Sequence, residues 1–155
     1  MASPSVTSAP AAVAALLAAY AERIDAGDFE GIGALLRDAI ITTEDGAVVA
    51  TGADEIAAMY RATTRRFADG TPRTRHVITN LIVEPDPPAD RVIASSYFTV
   101  FQATDGVALQ PIIAGRYRDV VERRDGRWVF VERRMTPTLF GDLSAHLLFD
   151  PSSLR

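Results

Sequence analysis

The chain has 155 residues, 48% apolar and 23% charged, with a net charge of −4 at neutral pH; that profile fits one globular domain large enough to bury a core. It has no cysteine and every one of its 16 basic residues is arginine, which excludes thiol nucleophiles, thiolate metal sites, disulfides and Schiff-base lysines. The negative balance argues against a nucleic-acid partner, because arginine pairs at 65–66, 123–124 and 133–134 alternate with acids and form no stripe.

Residues 1–10 are Ser/Pro-rich and aperiodic and are expected to form a disordered tail, with residues 11–150 as a single domain. Val13, Leu16, Leu17, Tyr20 and Ile24 predict a helix over 11–26. That alanine-rich segment is too short to span a bilayer, and no basic residue precedes it as in a signal peptide, so a cytoplasmic protein without a membrane partner is expected. Gly27 reads as a helix stop and Asp28 as the N-cap of a short second helix through Leu35 and Leu36.

Residues 39–52 read as two short strands around an Asp45-Gly46 turn. A third helix is predicted over 53–69, with Thr51 and Asp54 resembling a capping box and Ile56, Met59, Tyr60, Thr63 and Phe67 on one face. From residue 74 the period changes to two, predicting antiparallel strands over 74–84, 91–104, 107–122 and 127–138, two of the three turns being Asp-Gly. Asp142 is expected to cap a terminal amphipathic helix carrying a surface His146. Helices followed by a meander give an α+β fold. Strands this long must curl, and helices across the concave side leave a cavity suited to a small molecule.

Chemistry must then come from His, carboxylates, Tyr, Arg or hydroxyls. Strict alternation puts His76, Ile78, Asn80 and Ile82 on one face of their strand, and Val77, Leu81 and Val83 on the other. A strand histidine in isolation is more often structural than catalytic. Asp25 sits at the C-terminal end of the first helix, where the macrodipole disfavours a carboxylate; it is either solvated or partnered. If the helix crosses the sheet, Asp25 reaches His76 and the two form a general base. Tyr20, Tyr60, Tyr97 and Tyr117 are candidates for pocket or core. Arg133 and Arg134 face opposite ways, so one can enter the cavity and stabilise an anion. No Walker A, GxGxxG or GxSxG motif is present, and two distant histidines do not make a metal site. Metal and cofactor are therefore expected to be none.

The segments YAERIDAGDFEGIGALL, DEIAAMY, RHVITNLIVE and GRYRDVVERRDGRWVFVERRM together resemble the SnoaL-like branch of the nuclear transport factor 2-like superfamily, over roughly residues 12–148. The resemblance implies a cone-shaped, curled, mixed or antiparallel sheet with helices over its concave face. Within the branch the chain is similar to hexachlorocyclohexane dehydrochlorinases and, more distantly, scytalone dehydratases. That similarity implies Asp25 and His76 as the catalytic pair and Phe67, Tyr97, Ile113, Tyr117 and Arg133 as cavity lining. It departs in lacking an early-strand tryptophan and a second sheet histidine. Epoxide hydrolases on the same scaffold use a Tyr and an Asn, for which Tyr60 and Asn80 are available, but their carboxylate set has no counterpart here.

The implied function is a cofactor-independent lyase or isomerase acting on a small, largely apolar cyclic substrate. The alternatives are a non-catalytic ligand-binding module or one like the small subunits of ring-hydroxylating dioxygenases, and a polyketide cyclase or epoxide hydrolase. Apolar Val77, Leu81 and Val83 on the outer face, and the habits of the family, imply a homodimer or homotrimer.

Overall fold

The computed structural model describes residues 8–87 and 90–154. The expected tail thus lies largely outside the described residues, and its end is already helical: α1 spans Ala9–Ala26, with Pro10 in the first turn, where a missing N–H costs nothing. Val13, Leu17, Tyr20 and Ile24, at helical spacing, are its buried stripe. Gly27 ends the helix in the left-handed region (φ 72°), and a Cβ there would lie 2.2 Å from the Gly70 carbonyl oxygen. The helix therefore stops at residue 26, which fixes where Asp25 points. Helix α2 (Phe29–Leu35) starts on the Asp28 cap, whose carboxylate accepts from the Gly31 N–H at 2.9 Å.

Strands β1 (Ile40–Thr42) and β2 (Val48–Thr51) form the hairpin around the Asp45-Gly46 turn. Helix α3 covers Gly52–Thr63, and its start differs from the expected box: Glu55, not Asp54, reaches back to the Thr51 N–H, at 2.9 Å. It also ends earlier than residue 69. Thr64 turns extended and pairs with Leu147, so tertiary pairing overrides helix propensity there.

The long strands are β3 (Thr74–Pro85), β4 (Arg91–Thr104), β5 (Val107–Arg124) and β6 (Arg127–Phe140). The sheet runs β2-β1-β6-β5-β4-β3, antiparallel except where β1 lies parallel to β6, so it is mixed. Register shifts in β3, β4 and β5 add local twist and curl the sheet around the helices. At Gly115 a Cβ would stand 2.3 Å from the Thr136 carbonyl oxygen, so only glycine lets β5 and β6 approach there. On β4 the alternation is regular: Val92, Ala94, Ser96, Phe98, Val100 and Gln102 are buried against the helices.

Strand β3 does not alternate strictly. Thr79 pairs with Tyr97 and Ile82 with Ser95, so Asn80 and Leu81 together oppose one residue, and Asn80 takes φ 56°, which its short polar side chain tolerates. The bulge reverses the phase. Leu81 and Val83 turn to the core side, while Val77 (43% exposed) and Ile82 (59%) point outward. The outer apolar set is therefore Val77, Ile82, Tyr97 and Leu139, not Val77, Leu81 and Val83.

No terminal helix follows β6. Residues 141–150 run as turns and a single bridge, and Asp142 caps only the Ser144 N–H at 2.9 Å before a 3-10 turn at Pro151–Leu154. His146 is buried, not on the surface. None of the described helices is long and apolar enough to cross a membrane.

Candidate active site

Thr74 and His76 share one face of β3, two residues apart, under the last turn of α1. Asp25 joins them. Its Oδ1 accepts from Thr74 Oγ1 at 2.8 Å and lies 2.7 Å from His76 Nδ1, and its Oδ2 accepts the His76 backbone N–H at 2.9 Å. β3 is the edge of the sheet, so that N–H has no strand to bond to; Asp25 both satisfies it and closes the edge locally. These three contacts offset the helix-dipole penalty that a C-terminal carboxylate incurs.

The side chains of His76 and Asp25 are only 6% and 12% exposed. Burial pushes the Asp25 carboxyl up, but the His76 ring, the His76 N–H and the Thr74 hydroxyl together hold it below the usual carboxylate value. The acid is thus ionised at neutral pH and can only accept. That fixes the tautomer: Nδ1 of a neutral His76 carries the proton, and Nε2 keeps its lone pair. His76 lines a groove of about 350 Å³ between α1 and β3, walled by Ala14, Ala18 and Ala21 on one side and Ile78 and Leu81 on the other, with exposed Glu22 also in the lining. A proton acceptor facing an apolar groove is suited to removing a proton from carbon.

The Tyr20 ring meets His76 edge-on, with centroids 6.2 Å apart, and connects the dyad to a buried polar cluster. Its hydroxyl lies 2.9 Å from that of Tyr60. The Arg133 guanidinium stacks 4.2 Å from the centroids of both Tyr20 and Tyr117 and donates to both oxygens of Asp119, at 2.7 and 2.9 Å. Burial holds the Tyr60 and Tyr117 hydroxyls well above the ordinary phenol value, so both stay neutral. Burial alone would lower Arg133, but the attraction and hydrogen bonds of the Asp119 side chain more than offset it. This pair fills the interior where the sequence suggested an anion site, with Arg133 Nη1 left buried and without a hydrogen-bond partner among the described residues.

The expected site residues thus separate into four sets. His76 and Asp25 meet. Tyr60, Tyr117 and Arg133 form the inner cluster in contact with Tyr20, while Ile113 is partly buried against the core and Phe67 lies in the loop after α3 beneath the Arg73 guanidinium. Asn80 and Tyr97 do not line the groove: the bulge and the alternation of β4 put them on the outer face, in a depression of about 420 Å³ with Arg116, Arg118 and Arg134. Sequence reasoning missed Thr74 and the alanine wall. The signals were there, a hydroxyl two residues before the histidine and alanines at 14, 18 and 21 along one helix face.

His146 was also misplaced. Gln102, the cross-strand partner of Thr74, donates to the Ala145 carbonyl at 3.4 Å and so ties the C-terminal segment to this end of the sheet. Burial first, then the charge of His76, lowers His146 to about 4, and its Nδ1 is buried without a partner among the described residues.

Residues 6–134 match the model of the SnoaL-like domain. No curated protein matches the sequence. Among solved structures, an aspartate-to-asparagine variant of Rv3472 from Mycobacterium tuberculosis, a protein of unknown function, is 26% identical with a TM-score of 0.63, over 81% of this chain and 69% of that one. ActVI-ORFA from Streptomyces coelicolor is 19% identical with a TM-score of 0.66, over 82% of this chain and 95% of that one. An NTF2-like protein with a cystatin-like fold from Novosphingobium aromaticivorans is 24% identical with a TM-score of 0.64, over 86% and 84%.

Proposed function

The chain belongs to the SnoaL-like family, and we propose that it is a cofactor-independent lyase or isomerase in which Asp25 and His76 form the general base. The observation that supports this is the 2.7 Å contact between His76 Nδ1 and an Asp25 oxygen, beside a groove that the imidazole itself lines. His76 Nε2 takes a proton from a carbon acidified by a neighbouring carbonyl or leaving group. Asp25 stabilises the imidazolium that results, and double-bond migration or elimination follows. A base of this kind contributes about 10²–10⁴-fold. The groove's volume and its alanine, isoleucine and leucine walls suit a small, largely apolar ring.

Proton exchange tests this without knowledge of the natural substrate. In deuterium oxide the protein should accelerate loss of the α-protons of 2-tetralone, followed by proton NMR, and His76→Asn should return the rate to that of buffer. Equal rates for the protein and the variant would refute the reading.

A further inference from the structure

The groove beside His76 differs in charge from the arginine-lined depressions described for this molecule and shares its arginine-free, acidic lining only with the shallow one at the β1–β2 turn, which holds Glu44 and Asp45. Glu22 is in its lining and ionised Asp25 stands behind the imidazole, yet no arginine lines it, although arginine is the only basic side chain apart from histidine in the sequence. By contrast, the outer-face depression holds Arg116, Arg118 and Arg134, and the one at the β5–β6 turn holds Arg37, Arg124 and Arg127. Arg133 is fully buried and paired to Asp119, so its charge is already compensated.

Glu22 lies one helical turn before Asp25 on α1 and has no ion pair or hydrogen bond among the described residues. Its sequence neighbour Arg23 is turned about 100° round the helix and does not line the groove. The rest of the lining is aliphatic apart from the His76 ring, whose Nε2 in the neutral tautomer set by Asp25 carries a lone pair and no proton to donate to an anion. An anionic group placed there meets two carboxylates and no compensating donor.

Resting on the reading of this groove as the substrate site, we infer that it selects against anions and that Glu22 sets this preference. The substrate is an uncharged apolar ring compound, carrying no carboxylate, phosphate or sulfate group. It therefore comes to the protein as a free neutral molecule, not as a carboxylic acid or tethered to a phosphate-bearing carrier.

Two probes of equal shape test the inference, 2-naphthalenemethanol and 2-naphthoate, with binding read from the His76 ring signals in ¹⁵N-resolved NMR titrations. The alcohol should bind the wild type about fivefold more tightly than the carboxylate, the size of effect an exposed charge exerts. Glu22→Gln should narrow the ratio, Glu22→Arg should reverse it, and added salt should shrink it in the wild type. Glu22 is exposed, so neither substitution disturbs the core. If both probes shift the His76 signals but the ratio is the same in all three proteins, charge selection by Glu22 is wrong and the substrate groove stands. If neither probe shifts them in the wild type, the groove is not a ligand site and both readings fall.

Discussion

Replacing Asp25 by Asn should disable the base by moving one proton. The carboxylate accepts on both oxygens: Oδ1 faces Thr74 Oγ1 and His76 Nδ1, and Oδ2 faces the His76 backbone N–H. An amide has one oxygen and one NH2, which leaves two settings. With NH2 at the Oδ2 position, two donors oppose each other in a nearly buried site, a conflict costing about 1–3 kcal/mol. With NH2 at the Oδ1 position, the amide oxygen still takes the backbone N–H and the Thr74 hydroxyl rotates to accept, but Nδ1 must now be an acceptor. A backbone N–H cannot shift its proton and an imidazole can, so the second setting wins. The ring then carries its proton on Nε2, and the lone pair facing the groove is gone. Exchange of 2-tetralone α-protons should fall by about 10²–10⁴-fold, with an unfolding free energy lower by at most about 1–2 kcal/mol. Long-range ¹⁵N–¹H spectra distinguish the two tautomers directly. The reasoning is refuted if the variant keeps its proton on Nδ1, or if it exchanges as fast as the wild type.

His146 is held near 4 against an ordinary value of 6.5, so the unfolded chain binds its proton first as pH falls. Stability should therefore decline between about pH 6.5 and 4, by about 3 kcal/mol for this residue at the lower end, and urea midpoints of His146→Gln should be flatter across that window. Asp25 acts lower: its depressed carboxyl contributes stability above about pH 4 that is lost as pH falls through its folded value, and Asp25→Asn should remove that step from acid titrations followed by circular dichroism. Arg133→Met strands a fully buried Asp119 and should cost about 3–5 kcal/mol in denaturant unfolding, whereas pairing it with Asp119→Leu should recover most of the loss. Outward Ile82 and Leu139, 59% and 68% exposed, should be covered in a homodimer or homotrimer; light scattering should show the Ile82→Glu, Leu139→Glu double variant as a monomer of unchanged circular dichroism.

Local signals carried much of the architecture. Gly27, the Asp28 cap, the Asp-Gly turns and the period-two strands are each decided by a few neighbouring residues, and all are found at or close to the predicted positions. The Asp25–His76 pairing was legible only in part: a carboxylate at a helix C-terminus is either solvated or partnered, and the family resemblance, not the local pattern, singled out His76 as the partner. What could not be read depended on distant chain. The bulge at Asn80 needs the β4 register to declare itself, and without it Leu81, Ile82 and Val83 fall on the wrong faces. His146 is buried because Thr64 and Gln102 hold the residues after and before it, contacts across 83 and 43 residues that no local pattern reveals. Arg133 looked like a free cation because Asp119, its cross-strand neighbour, is opposite it only in the folded register.

The acid and the imidazole sit on separate pieces of secondary structure, one at the tail of α1 and the other on the outermost strand of the sheet. Competence for the proposed proton transfer would thus be a property of how these two pieces seat against each other, and not of either alone. Lifting α1 by an ångström or two would sever all three bonds to Asp25 while the β4–β5–β6 meander stayed intact. On warming, the proposed exchange of 2-tetralone α-protons should accordingly fade before the far-ultraviolet spectrum melts, which would make it a more sensitive thermometer of this molecule than its secondary structure.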